Sequence, residues 1–165
     1  MELRKVGKIF DVRWLASSYV SIDAVLKSVR ALVCQLENAS NDRSSTTKDR
    51  AKADGMSKKL HSWTFLAELA LMKDILSVLK DLSLYLQSRS ASILDVAGRL
   101  DTAVRTLTAM KSVDGIALSD LNSQIAADGS YCGISVGQSN SEVQSFTKMR
   151  CQFIQALVDN IFARF

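Results

Sequence analysis

Proline is absent from all 165 residues, where average usage of ~5% would supply roughly eight. Helix interiors exclude proline and turn-rich β proteins use it freely, so its absence points to an all-α chain. Cysteine is sparse: Cys34, Cys132 and Cys151 are an odd number at unrelated spacings, with no CxxC pair. With His61 the single histidine, these leave no four-ligand zinc set and no disulfide framework. The expected state of the three thiols is reduced, in an intracellular compartment. No long uninterrupted apolar run is present either. The most apolar stretch, Trp63–Leu86, is broken by Glu68, Lys73, Asp74, Lys80 and Asp81. Each such charge costs about 2.5–3.5 kcal/mol at a bilayer centre, which excludes a membrane span. The first residues, Met1-Glu2-Leu3-Arg4-Lys5, lack the apolar core of a signal peptide, so the expectation is a protein that is not secreted. Charge of one sign is also lacking. Twenty-one Lys and Arg against seventeen Asp and Glu leave +4, which permits nucleic-acid contact without demonstrating it.

What is there is helical pattern. At 47% hydrophobic and 23% charged, the chain can bury one core, and residues 1–165 read as a single domain. From Trp14 onward, Leu15, Tyr19, Ile22, Leu26, Val29, Val33 and Leu36 recur in alternating steps of four and three. That spacing draws one continuous stripe along one helix, with Asp11 placed to cap it. Residues 38–47 are polar and aperiodic and read as a loop. A basic helix follows from Lys48 to His61, weakened by Gly55. Ser62 then offers a cap to the longest helix. Its row Phe65, Leu69, Met72, Leu76, Leu79 and its row Leu71, Ile75, Val78, Leu82, Tyr85 leave only a narrow polar stripe, including Lys73, Ser77, Lys80 and Gln87. A helix wetted on so little of its circumference belongs in the middle of a bundle. Ile93, Ala97, Leu100, Val104 and Leu107 mark another helix over 90–111, and 116–126 a short one starting near Ser119 or Asp120. Residues 128–141 hold three of the seven glycines and read as an irregular loop before a last helix over 141–163. Only Val6 to Phe10 suits a strand, and a lone strand lacks a partner.

Chemistry is harder to find. Neither GxxxxGK[ST] nor GxGxxG occurs. His61 has no spaced nucleophile and reads as a solvated or helix-terminal residue. Asp74 and Asp81 lie one heptad apart, but Lys73 and Lys80 beside them make a solvated, charge-balanced stripe the better reading than a metal pair. No cofactor, metal or small-molecule substrate is implied, and no enzyme is expected. Arg13-Trp14, just ahead of a helix, can hold a phosphate while the indole stacks on a base. The plainer alternative buries Trp14 as a core anchor. The run Lys48, Arg50, Lys52, Lys58, Lys59 can track a nucleic-acid backbone or be a solvated face.

The order of these pieces resembles a known family. Lys5-Val-Gly-Lys-Ile-Phe-Asp-Val-Arg-Trp-Leu-Ala-Ser-Ser-Tyr19, with Ala24-Val-Leu and Ala31-Leu after it, is similar to the Arg-Trp region of hAT-superfamily transposases. Their domesticated zinc-finger and SUMO-ligase-like relatives are closer still. Ser57-Lys-Lys-Leu-His-Ser-Trp-Thr-Phe65, Leu71-Met-Lys-Asp-Ile-Leu76, Leu82-Ser-Leu-Tyr-Leu-Gln87 and Phe153-Ile-Gln-Ala-Leu-Val-Asp-Asn160 follow in the family's order. The resemblance implies the helical insertion of an RNase H-like core. The family's three acidic metal ligands are expected outside this chain, so no catalytic residue carries over. Arg13 and Trp14 carry over as the pair at the mouth of the insertion, where active relatives handle a flipped or hairpinned DNA end.

The expectation is therefore an all-α, irregular bundle of about five helices, a catalytically inactive, transposase-derived domain. Nuclear location follows from the resemblance, with the cytoplasm as the alternative. Its partners would be DNA, bound weakly through Arg13, Trp14, Lys58 and Lys59. Alternatively it is a protein–protein module, in which the Leu15-to-Leu36 stripe seats a partner helix or a second copy, as a coiled-coil seam does.

Overall fold

A 24-residue helix, α4 (Trp63–Leu86), forms the axis around which the rest of the chain packs in a computed structural model that describes residues 12–88, 92–125 and 127–164. Ser62 caps it, its hydroxyl accepting the Phe65 N–H at 3.5 Å. The buried positions, among them Leu66, Ala67, Ala70, Leu71, Ile75, Leu76 and Leu79, spread over most of its circumference. Five other helices touch it, as its two apolar rows require: α1 (Val12–Lys27), α3 (Thr47–Leu60), α5 (Ile93–Ala109), α6 (Ile116–Gln124) and α7 (Asn140–Phe162). Among the described residues there are seven helices where about five were expected, with one two-stranded hairpin.

The additional helices have physical causes. The stripe from Trp14 to Leu36 is continuous, but the backbone leaves helical geometry at one residue, Ser28 (φ −113°, ψ 13°). Its N–H is shared between the carbonyls of Ala24 and Val25, both at 3.1 Å. The break turns α1 along α4 and lets α2 (Val29–Asn41) pair with α3. Buried Tyr131 sits beside it and donates its hydroxyl to the Leu26 carbonyl at 3.5 Å. The predicted loop over 38–47 shrinks to residues 42–46, because α2 continues to Asn41. Thr46 then caps α3, accepting the Asp49 N–H at 3.2 Å.

The predicted loop over 128–141 contains an antiparallel hairpin, β1 (Ser130–Tyr131) and β2 (Ile134–Ser135). Its two-residue turn, Cys132-Gly133, has φ of 51° and 76°, the double positive geometry of a tight hairpin. Gly133 also leaves room for Arg30, whose Nη1 lies 3.2 Å from where a Cβ would stand. Downstream, Gly137 exchanges backbone bonds with His61 and Trp63 across the α3–α4 junction. Helix α7 starts on a full capping box between Ser139 and Glu142. The suggested strand over Val6 to Phe10 and the cap at Asp11 lie outside the described residues.

Two charged residues are buried where solvated ones were expected or none was singled out. Asp74 is 6% exposed, not part of a solvated stripe. It is the cap of α6, in place of Ser119 or Asp120: Oδ1 accepts the Ala117 N–H at 2.8 Å and Oδ2 the Leu118 N–H at 3.1 Å. Arg150 of α7, equally buried, reaches the loop that joins α5 to α6.

Candidate interaction site

The Leu15-to-Leu36 stripe does not form a free seam. Leu15, Leu26, Val29 and Val33 are buried in the molecule's own core. The break at Ser28 is what divides the stripe. Its inner residues go into the core, while Leu36, with Val25 on α1 and Leu32 on α2 beside the stripe, is only partly buried, and Ala39 on α2 is exposed. Met56 and Leu60 of α3 form the opposite wall, and Phe65 of α4 closes one end. The result is an apolar cleft of about 620 Å³, within the size range of binding sites. Two further clefts, of about 280 Å³ beside Arg99 and about 260 Å³ beside Phe153, are less than half as large.

Only two polar residues line the large cleft, Gln35 on α2 and Lys59 on α3. Met56 is 58% exposed, an unusual state for a long apolar side chain with nothing packed over it. His61, at the C-cap of α3, stands between the two walls. Its Nδ1 lies 2.9 Å from the Ser57 carbonyl, so that nitrogen carries the proton, and Nε2 lies 4.0 Å from Glu37 of α2. It is a helix-terminal histidine, in line with the sequence-based reading.

The four residues expected to contact nucleic acid do not converge. Arg13 is the second residue of α1, and its side chain lies outside the described residues. Trp14, one residue on, is 60% exposed and is no core anchor. Helix α1 runs antiparallel to α4: Asp23 pairs with Lys73 at 2.6 Å, and the Tyr19 ring lies under Lys80, 4.6 Å from its centroid. Trp14 therefore stands near the C-terminal end of α4. Lys58 and Lys59 precede its N-terminal end, roughly 30 Å away at 1.5 Å per residue. Lys58 is bound to Asp54 at 2.7 Å, whereas Lys59 lies on the cleft.

Electrostatics elsewhere serve the fold. The Lys27 and Lys73 ammonium groups beside Asp23 hold its carboxyl below the ordinary carboxylate range, and Lys73 is raised in turn. Burial pushes the Asp74 carboxyl up, against the two backbone N–H groups that favour its ionised form. Among the described residues no group of three His, Cys, Asp or Glu is placed to hold a metal ion, and no helix is long and apolar enough to cross a membrane.

The cleft escaped the sequence because its walls come from four helices and depend on the break at Ser28. Its one local signal is Met56, an apolar residue within an otherwise polar helix face between Lys52 and Lys59. No family model, curated protein or solved structure matches this chain.

Proposed function

We propose that this protein is a helical interaction module whose working surface is the open cleft between α2 and α3. The observation that carries this reading is the cleft itself: Val25, Leu32 and Leu36 are only partly buried and Met56 is exposed, beside a stripe whose Leu15, Leu26, Val29 and Val33 go into the core. Two packed helices with an apolar furrow between them accept a third helix, which anchors through residues at i, i+3, i+4 and i+7. Three leucine anchors contribute about 1.5–3 kcal/mol each. After an association cost of about 4 kcal/mol or more, at most about 5 kcal/mol remains, a dissociation constant of about 200 μM or weaker.

A neutral amphipathic peptide of about fourteen residues, with Leu at the anchor positions and Gln elsewhere, is the direct probe. Titration calorimetry should show saturable binding to the protein, lost in Ala39→Trp, which fills the cleft from an exposed position. Circular dichroism should show that variant folded. Absence of binding, or binding indifferent to Ala39→Trp, removes the reading. Leu26→Asp would be a poor probe, since Leu26 is 7% exposed and its loss would unfold the core.

A second reading, a transposase-derived, catalytically inactive domain associated with nucleic acid in the nucleus, is favoured by one observation: the Trp14 indole stands out from the first turn of α1. It predicts weak binding of a hairpin oligonucleotide that falls steeply with salt. Trp14→Ala should abolish it, and Lys58→Glu, about 30 Å off by helix length, should leave most of it. Salt-independent or undetectable binding counts against this reading.

A further inference from the structure

We infer that the occupant of the cleft is an acidic amphipathic helix of three to four turns; the inference rests on the docking role proposed above and adds the partner's charge and length. Helix α3 carries five cations (Lys48, Arg50, Lys52, Lys58, Lys59) against two carboxylates (Asp49, Asp54). Their placement matters more than their number. Lys48, Lys52, Met56 and Lys59 recur at i, i+4, i+8 and i+11, one stripe of a helix that turns once every 3.6 residues. Met56 and Lys59 of that stripe line the cleft, and the helical repeat puts Lys52 and Lys48 on the same face of α3 beyond them.

All three lysines are exposed and none has an ion pair among the described residues. The carboxylates that could neutralise them are engaged elsewhere. Asp54 holds Lys58 at 2.7 Å on another face of α3, and Asp49 accepts the Thr46 hydroxyl at 2.7 Å. The facing wall on α2 offers the neutral Gln35, and the one carboxylate of α2, Glu37, lies 4.0 Å from His61 Nε2. Thus the α3 side is cationic, while the floor is apolar and the opposite wall carries Leu32, Leu36 and the neutral Gln35. A ligand matched to that surface needs an apolar row flanked on one side by carboxylates.

The surface bounds its length. The row from Lys48 to Lys59 covers twelve residues, about 17 Å from end to end at 1.5 Å per residue. The apolar wall from Leu32 to Ala39 spans about two turns, and Val25 extends it past the break. A helix of about twelve to fourteen residues meets both. A second copy of this chain is a poorer match, because it would bring its own cationic α3 side.

The test adds two peptides to the neutral probe, identical in their leucines but with Glu or with Lys on the flanks. At low salt the Glu peptide should bind at least about tenfold tighter than the Gln peptide, and the Lys peptide weaker than either. Raising the salt should draw the three together. In the double variant Lys52→Glu/Lys59→Glu, both sites exposed, the order should invert, with the Lys peptide tightest. Equal binding of the Glu and Gln peptides would overturn the acidic partner and leave the docking role standing. Failure of all three would remove both. Binding to vesicles containing phosphatidylserine, with none to the Glu peptide, would overturn it in favour of an anionic membrane surface.

Discussion

Arg150→Ala is expected to lower the stability of the protein by about 3 kcal/mol, a drop of roughly 6–12 °C in melting temperature for a chain of this size. The side chain is 8% exposed. Its planar head meets three acceptors in one loop: Nε donates to the Met110 carbonyl, Nη2 to the Val113 carbonyl at 2.5 Å, and Nη1 to Asp114 at 2.6 Å. One of these acceptors, the Met110 carbonyl, is at the C-cap of α5, where the helix dipole also favours a cation. Asp114 in turn accepts from Asn122 at 3.1 Å, and Asn122 accepts the Trp63 indole N–H at 3.4 Å. One guanidinium therefore links α7, the α5–α6 loop, α6 and α4. Removing it strands two carbonyls and leaves a void beside Ile154, which is fully buried. Asp114 is 38% exposed and can be rewetted, so the loss stays below that of a wholly buried pair. Arg150→Lys keeps the charge but cannot reach three acceptors at once, and should recover less than half. Urea melts of the three proteins decide it; an Arg150→Ala midpoint within error of the parent would show that the loop holds itself.

Arg150 also shows what kind of information a single sequence holds. It stands in the row Phe146, Arg150, Ile154, Val158, every other member apolar, and a charge in a core row is a visible signal. Its partners 36 to 40 residues away are not. The two rows of α4 made its central position legible, because a helix apolar on most sides has nowhere else to go. Ser62, a cap read from local chemistry alone, is where it was expected. The break at Ser28 has no such mark, neither glycine nor proline. It follows from α1 and α2 having different partners, and the stripe drawn by the sequence runs straight through it. The hairpin was half visible: Gly129 and Gly133 do take positive φ, but pairing of two residues per strand is too short for an alternating pattern to register. For the same reason the cleft was hidden. Lys48, Lys52 and Lys59 were legible as basic residues, yet their value depends on an apolar floor that α2 and α4 supply.

Replacing Asp74 tests the most unusual cap in the fold. Gly115 at the N-cap of α6 has no side chain to offer, so the carboxylate comes from α4, 41 residues earlier in the chain. Asp74→Ala leaves the N–H groups of Ala117 and Leu118 without acceptors in a part-buried to buried setting, at about 1–3 kcal/mol each. Relief of a desolvated carboxylate offsets part of this, and a net loss of about 2–3 kcal/mol is expected. Gly115 itself has ordinary backbone angles (φ −72°, ψ 178°), open to any residue. A Cβ there would stand 2.4 Å from the Asp74 carboxyl carbon, so Gly115→Ala should cost a similar amount by expelling the cap. Once Asp74 is alanine, the same change should cost little, giving a coupling of about 1–3 kcal/mol in the double-mutant cycle. Strict additivity would mean that the glycine is there for another reason. The pH dependence supplies an independent check. Burial raises the Asp74 carboxyl above its unfolded value of 3.8, so the folded state holds that proton more tightly. Its contribution is then full below 3.8 and declines as pH rises through the folded value. Asp23, Asp42 and Asp128, all lowered, act in the opposite sense below 3.8 and are common to both proteins. The stability of the parent minus that of Asp74→Asn should therefore fall with pH above 3.8. A difference that stays flat or grows would show that the two N–H bonds outweigh burial at this carboxylate.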